Sequence, residues 1–212
     1  MNATFALSTV TTPEELRDAL GGEPRSSLAN SIRSRLDEVD RRWLAASPFC
    51  LLATAGADGS CDVSPRGDEP GFALVLSDTT IALPERAGNR RGDGYANLLE
   101  NGHAGLLFMI PGRTDTLRIN GRAFLVRDAP FFDRMVVDGR QPVLAAVVEV
   151  EEVFYHCTKA FHRSGLWRAE RWNPDAAPTR TEVVRALEAD LPAGFREAVS
   201  AGEEYAPERC AL

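Results

Sequence analysis

The 212-residue sequence predicts a mainly β protein of the α+β class: an antiparallel β-barrel with flanking helices. Two observations predict it. From Pro48 to Tyr155, apolar runs of strand length follow one another through turns containing Gly, Pro, Asp and Ser, not through the repeated helix of a parallel βαβ sheet. Helix signatures, in turn, enclose this region at both ends of the chain.

The elements follow in chain order. Thr12-Pro13-Glu14-Glu15 supplies a cap, a proline at the first helical position and a glutamate at the capping-box position. This first helix is expected to end near Leu20, before Gly21-Gly22. Leu28, Ile32, Leu36, Val39 and Trp43 recur every three or four residues and predict a second helix over residues 27–46, its apolar stripe packed inward. Residues 49–55 form an apolar strand, and the turn Gly56-Ala57-Asp58-Gly59 leads into a strand over 61–65. Ser77-Asp78-Thr79 joins the next two strands, 72–76 and 80–83. Asp93 is placed to cap a helix through Leu98 and Leu99 that stops at Asn101-Gly102.

Residues 104–110 are apolar and end at Pro111-Gly112, while 116–126 alternate through Leu117, Ile119, Gly121 and Ala123 as a half-buried strand. Asp128 and Pro130 open a helix through Phe132 to Val136, and the valine-rich stretch 143–155 is the longest strand. Helices over 159–167 and 181–191 follow, the second amphipathic through Val184, Leu187 and Leu191. The chain divides into an N-terminal helical extension (1–47), a barrel domain (48–172) and a C-terminal helical tail (173–212).

A net charge of −7 argues against a general nucleic-acid or membrane-surface binder, which needs a broad basic field. A local basic pocket remains compatible with it. No stretch approaches the ~20 apolar residues of a membrane span, and residues 1–12 lack a positive region before an apolar run. Cys50, Cys61, Cys157 and Cys210 form no CxxC pair, and the first three lie in apolar or strand-like runs where small buried thiols are common. A reduced, cytoplasmic protein is expected.

The sequence has no P-loop, no GxGxxG after a strand, no HExxH and no nucleophile elbow. His156 and His162 are six residues apart, poor spacing for two ligands on one helical face, and His103 stands alone. No metal site is expected. Glu149 and Glu151 share one strand face, most simply the solvent face.

The arginines carry more information. Arg66, Arg86, Arg90 and Arg91 lie among glycines in an acidic chain. Each alone reads most simply as a solvated charge. Yet Ser64-Pro65-Arg66-Gly67 ends a strand, and Asn89-Arg90-Arg91-Gly92 precedes a helix whose N-terminal amides also favour an anion. Planar guanidinium groups from two segments can grip a phosphate from two sides. The stretch CTKAFHRSGLWRAERW, 157–172, adds Lys159, Arg163 and Arg168 to Trp167 and Trp172. These side chains suit plain packing and snorkelling, and equally the border of a flat conjugated cofactor.

At these residues the sequence resembles the pyridoxamine 5′-phosphate oxidase superfamily of FMN-binding split barrels, over roughly residues 49–172. Three pieces carry the resemblance: LLATAGADGSCDVSPRG, NRRGDGYANLLENG and TLRINGRAFLVRD. Within the superfamily, CTKAFHRSGLW is similar to a branch of FMN-binding proteins distinct from the true oxidase. The resemblance implies an antiparallel split barrel and FMN as cofactor, with Ser64 and Arg66 along the flavin and ribityl chain. It implies Asn89, Arg90 and Arg91 at the phosphate. It also implies a homodimer in which Lys159, Arg163, Ser164 and Trp167 reach the FMN held by the other chain.

The implied activity is an FMN-dependent oxidoreductase acting on a small molecule. A deazaflavin F420-dependent reductase and a non-enzymatic flavin- or haem-binding carrier or sensor stay open beside it. The oxidase's arginine-x-histidine substrate motif has no counterpart in Trp167-Arg168-Ala169-Glu170-Arg171-Trp172, so oxidation of pyridoxamine phosphate is not expected. The sequence singles out no catalytic residue.

Overall fold

The computed structural model describes residues 8–23, 31–88 and 90–187. Seven strands are joined in one antiparallel sheet: β1 (Phe49–Ala55), β2 (Cys61–Gly67), β3 (Leu74–Val75), β4 (Thr80–Glu85), β5 (His103–Met109), β6 (Thr116–Val126) and β7 (Leu144–His156). Their order across the sheet is β2-β1-β5-β6-β7-β4-β3. Among the described residues, five α-helices accompany them: α1 (Pro13–Leu20), α2 (Glu38–Ala46), α3 (Asp93–Glu100), α4 (Lys159–Ser164) and α5 (Arg180–Leu187). The antiparallel split barrel is therefore present. The sheet curls without closing, and β2 and β3 are its two edges.

Strand alternation builds the interior. Cys50 and Leu52 of β1, Leu106 and Phe108 of β5, and Leu117 and Ile119 of β6 are all buried in one core. Their register pairs Cys50 with Phe108 and Leu52 with Leu106, and then Leu106 with Ile119. Side chains of one face thus stack in rows across three strands. Burial pushes the Cys50 thiol up to about 12, so this cysteine is an inert packing group. The first half of β7 is buried on both faces. A second small core of Ala82, Ala145 and Val147 is covered by Phe132 and Met135 from a 3-10 helix, Pro130–Met135. The α-helix expected from Asp128 and Pro130 is this short, more tightly wound helix of six residues.

The helix expected over residues 27–46 is corrected. Within the described residues, helix begins only at Glu38. Asp37 caps α2 by accepting from the N–H groups of Val39 and Asp40, while Asp40 accepts from the backbone N–H of Asp37, a complete reciprocal box. Upstream, Arg33 exchanges both backbone hydrogen bonds with Val153, at 3.1 and 2.7 Å. This tertiary pairing, on the part of β7 beyond the reach of β4, overrides the helical periodicity. Leu36 and Trp43 are buried, but Ile32 and Val39 are exposed, so the apolar stripe does not pack as one face. Leu28 lies outside the described residues.

Smaller differences share local causes. The strand expected over 72–76 is reduced to Leu74–Val75, and β2 extends beyond 65 to Gly67. The helix expected over 159–167 stops at Ser164, because Gly165 adopts φ 63 and closes it. Gly92, not Asp93, is the N-cap of α3, and no side chain caps that helix. Cys61 and Cys157 are exposed, not buried, because strand ends place them at the rim. Residues 188–191 of the last predicted helix, and Cys210, lie outside the described residues. Among the described residues no helix is long and apolar enough to cross a membrane.

Candidate functional site

The two faces of the edge strand β2 differ in chemistry. Its register with β1 sets Ser64 opposite Leu52 and Arg66 opposite Cys50. Asp62, Ser64 and Arg66 therefore continue the barrel's inward rows, but as polar groups at the strand where the sheet stops. Across the split, β4 ends at Glu85, and α3 begins at Asp93. Together these segments enclose a cleft of about 450 Å³, lined by Ser64, Arg66, Glu85, Arg91 and Asp93 among others.

Side chains, not backbone, tie the two flanks of the split. Arg66 of β2 forms an ion pair with Glu85 of β4. Asp68, just after β2, pairs with Arg86, just after β4, at 2.8 Å and largely buried. The two bridges have opposite polarity, one arginine on each flank. Arg66 also donates from Nη2 to Ser64 Oγ at 3.1 Å. Its guanidinium lies 4.5 Å from the centre of the Tyr95 ring, and the Tyr95 hydroxyl donates to Glu85 Oε2 at 2.6 Å. Burial, together with the bond to Glu85, raises the Tyr95 phenol well above its ordinary range.

The sequence-predicted residues divide into three groups. Ser64, Arg66 and Arg91 meet in the cleft. Arg91 donates to Asp93 and is held above its ordinary value by that carboxylate. Arg90 is exposed beside it with φ 61, a left-handed conformation that an arginine seldom adopts. Asn89 lies outside the described residues. Arg86 turns away from the cleft toward Asp68 and borders a smaller hollow of about 160 Å³ with Arg134.

Lys159, Arg163, Ser164 and Trp167 are not among the cleft's lining residues within the chain. Ser164 Oγ donates to the Phe161 carbonyl at 3.2 Å, and Trp167 donates its indole N–H to the Arg113 carbonyl at 2.5 Å while stacking on Phe161. Lys159 and Arg163 are exposed on α4.

Sequence reasoning missed Glu85 and Tyr95. Glu85 follows an apolar run as the last residue of β4, and Tyr95 sits inside a helix. Nothing local to either position says that both meet Arg66. Around the cleft the backbone approaches closely: a Cβ on Gly94 would come within 2.8 Å of Asp62 Oδ2.

The outward face of the same strands is apolar on one side. Leu51, Val63 and Leu107 line a hollow of about 290 Å³ with Arg118 and His156 at its polar end. Among the described residues no group of three or more His, Cys, Asp or Glu side chains could hold a metal ion.

The donor set suits an FMN-type ligand. The cleft offers a hydroxyl and two guanidinium groups, and buried Arg66 Nε finds no acceptor among the described residues. Comparison with known proteins agrees on the family. The family described as pyridoxamine 5′-phosphate oxidase matches residues 36–157, more than half of the chain. A putative pyridoxamine 5′-phosphate oxidase from Lactobacillus delbrueckii is 22% identical, over 57% of this chain and 95% of that one, with a TM-score of 0.45. HupZ of Group A Streptococcus is 18% identical, over 57% and 93% of the two chains, with a TM-score of 0.46. A pyridoxamine 5′-phosphate oxidase-related, FMN-binding protein from Nostoc punctiforme is 15% identical, over 55% and 78%, with a TM-score of 0.38. No curated protein matches the sequence. On the extent of the family match, the chain belongs to the pyridoxamine 5′-phosphate oxidase-like superfamily.

Proposed function

We propose that the chain is an FMN-binding flavoprotein that acts as an oxidoreductase on a small molecule. The observation that carries this reading is the convergence of Ser64, Arg66 and Arg91, from segments far apart in sequence, on one cleft. FMN would supply the electron-transfer chemistry. Arg91 and Arg90 would meet its phosphate with charge-assisted hydrogen bonds, exchanging the exposed Asp93 partner for a doubly charged one. Ser64 and Arg66 would hold the ribityl and ring end, fixed there by the strand that carries them.

A second copy of the chain completes the proposal. The outward apolar face around Leu51, Val63 and Leu107 is suited to dimerisation. Lys159, Arg163, Ser164 and Trp167 would then border the partner's FMN, with Trp167 covering it from water. The oxidase's own substrate motif is missing, so FMN-loaded protein is expected to turn over pyridoxamine 5′-phosphate negligibly.

The test compares FMN with riboflavin, which lacks the phosphate. Replacing Arg90 and Arg91 together by alanine should weaken FMN binding tenfold or more, read by quenching of flavin fluorescence, and change riboflavin binding little. Equal losses for both ligands would show that these arginines do not meet the phosphate.

A further inference from the structure

The cleft is not the cationic cradle that its arginines alone suggest. Asp62, Glu85 and Asp93 line it beside Arg66 and Arg91, so carboxylates outnumber guanidinium groups. The two ion pairs differ in kind. Arg91 and Asp93 keep 78% and 53% of their side-chain surface exposed, and water screens a pair of that kind. Arg66 and Glu85 keep only 14% and 27%. There the charge of each is felt strongly by the other and by anything placed beside them.

Glu85 also has more than one partner. Its Oε2 accepts from Arg66 Nη1 and from the Tyr95 hydroxyl, and the guanidinium sits over the Tyr95 ring. Arg66 is thereby held from three sides: by Glu85, by Ser64 Oγ and by the Tyr95 ring. Such a side chain has little rotamer freedom left, which is what a positioning role requires.

Resting on the FMN reading above, we infer that Glu85 is a positioning residue that fixes Arg66 and cancels its charge, so that the ring end of the cofactor meets hydrogen-bond donors without a net cation. The consequence is a choice between cofactor redox states. Reduced flavin becomes anionic at its pyrimidine edge, and a bare guanidinium there would favour it. A guanidinium neutralised by Glu85 favours it less. Glu85 therefore keeps the bound cofactor more reducing than Arg66 alone would make it.

The experiment measures the midpoint potential of bound FMN by spectroelectrochemical titration, with dissociation constants for oxidised FMN and riboflavin determined in parallel. Glu85→Gln keeps a carbonyl oxygen that can accept from Arg66 and Tyr95 but removes the charge. Its preference for reduced over oxidised FMN should rise about tenfold, a potential about 30 mV more positive for a two-electron couple. Arg66→Gln is the reciprocal arm: it leaves Glu85 uncompensated, and the potential should fall. Tyr95→Phe removes a hydrogen bond but keeps both charges, so the potential should stay near the wild-type value, whereas an effect of mere loosening of the cleft would appear in this variant too. A wild-type potential in either charge-removing variant overturns the inference while leaving FMN binding intact. A wild-type chain that binds neither FMN nor riboflavin overturns the FMN reading, and this inference with it.

Discussion

Gly121 shows how one position can hold a sheet in register. The pairing of β6 with β7 slips by one residue between Asn120 and Gly121, a β-bulge that puts Gly121 against the β7 backbone. A Cβ there would come within 1.9 Å of the Glu149 carbonyl oxygen. Backbone, not a flexible side chain, is the obstacle, so an alanine can be admitted only by opening the ladder. Gly121→Ala should cost about 3 kcal/mol of stability, read as a lowered denaturant midpoint. A loss below about 1 kcal/mol would mean that the bulge relaxes freely. Arg90 is strained in a different sense. Its φ of 61 is a conformation that glycine would adopt without penalty, and the chain nevertheless keeps an arginine there, next to the cleft.

The segment before β1 is the clearest case at the scale of an element. Asp40 is fully buried on α2, yet it is charged because Arg33 reaches it with both terminal nitrogens, at 2.6 and 2.9 Å. Burial by itself would raise the Asp40 carboxyl. The Arg33 fork and the Asp37 backbone N–H outweigh it and hold the group below the usual aspartate range. Tyr155, packed edge-on against Trp43, joins the same network. Asp40→Asn removes the charged acceptor of this fork, but Arg33 stays 30% exposed and keeps Asp37 at 2.6 Å, so the change should cost about 2 kcal/mol at neutral pH.

The pH dependence follows from the lowered value. A carboxyl whose folded pKa is depressed contributes its stability above the unfolded value of about 3.9 and loses it as pH falls through the folded value. Thermal unfolding of both proteins from pH 6 down to pH 2 should therefore show a gap that is full at the upper end and narrows below about pH 4. A gap that stays constant would show that Asp40 carries no depressed pKa.

For the whole molecule, the open flank of the barrel is the decisive feature. A fully closed barrel would have joined the two edges of the sheet through the backbone and left no cleft at the split. Here two side-chain ion pairs of opposite polarity, Arg66–Glu85 and Asp68–Arg86, do the joining, and the space between flanks is the candidate cofactor site. If a second copy supplies Lys159, Arg163 and Trp167 to that space, cofactor binding and assembly are thermodynamically linked. FMN should then lower the dimer dissociation constant in sedimentation measurements. Trp167→Ala should weaken both FMN affinity and the dimer, whereas Arg163→Ala should affect FMN more than the dimer. A monomer that binds FMN at full affinity would rule out a shared site while leaving the assignment of FMN untouched.

The sequence by itself determined the class of fold, because strand alternation and turn chemistry are local. The run 49–55, the turn at 56–59 and the alternation over 116–126 each specify their own element, and Thr12-Pro13-Glu14-Glu15 carries its capping box within a single turn. It also marked Ser64, Arg66 and Arg91, since a strand end and a helix start are readable from neighbours. Only the tertiary structure decided that residues 31–37 leave the helical pattern, because the competing backbone bond belongs to Val153, more than a hundred residues away. Only it decided that Arg86 serves Asp68 while Arg66 serves Glu85. Charges pair with whatever the curled sheet brings within reach, and that proximity is a property of the folded path of the whole chain, not of any stretch along it.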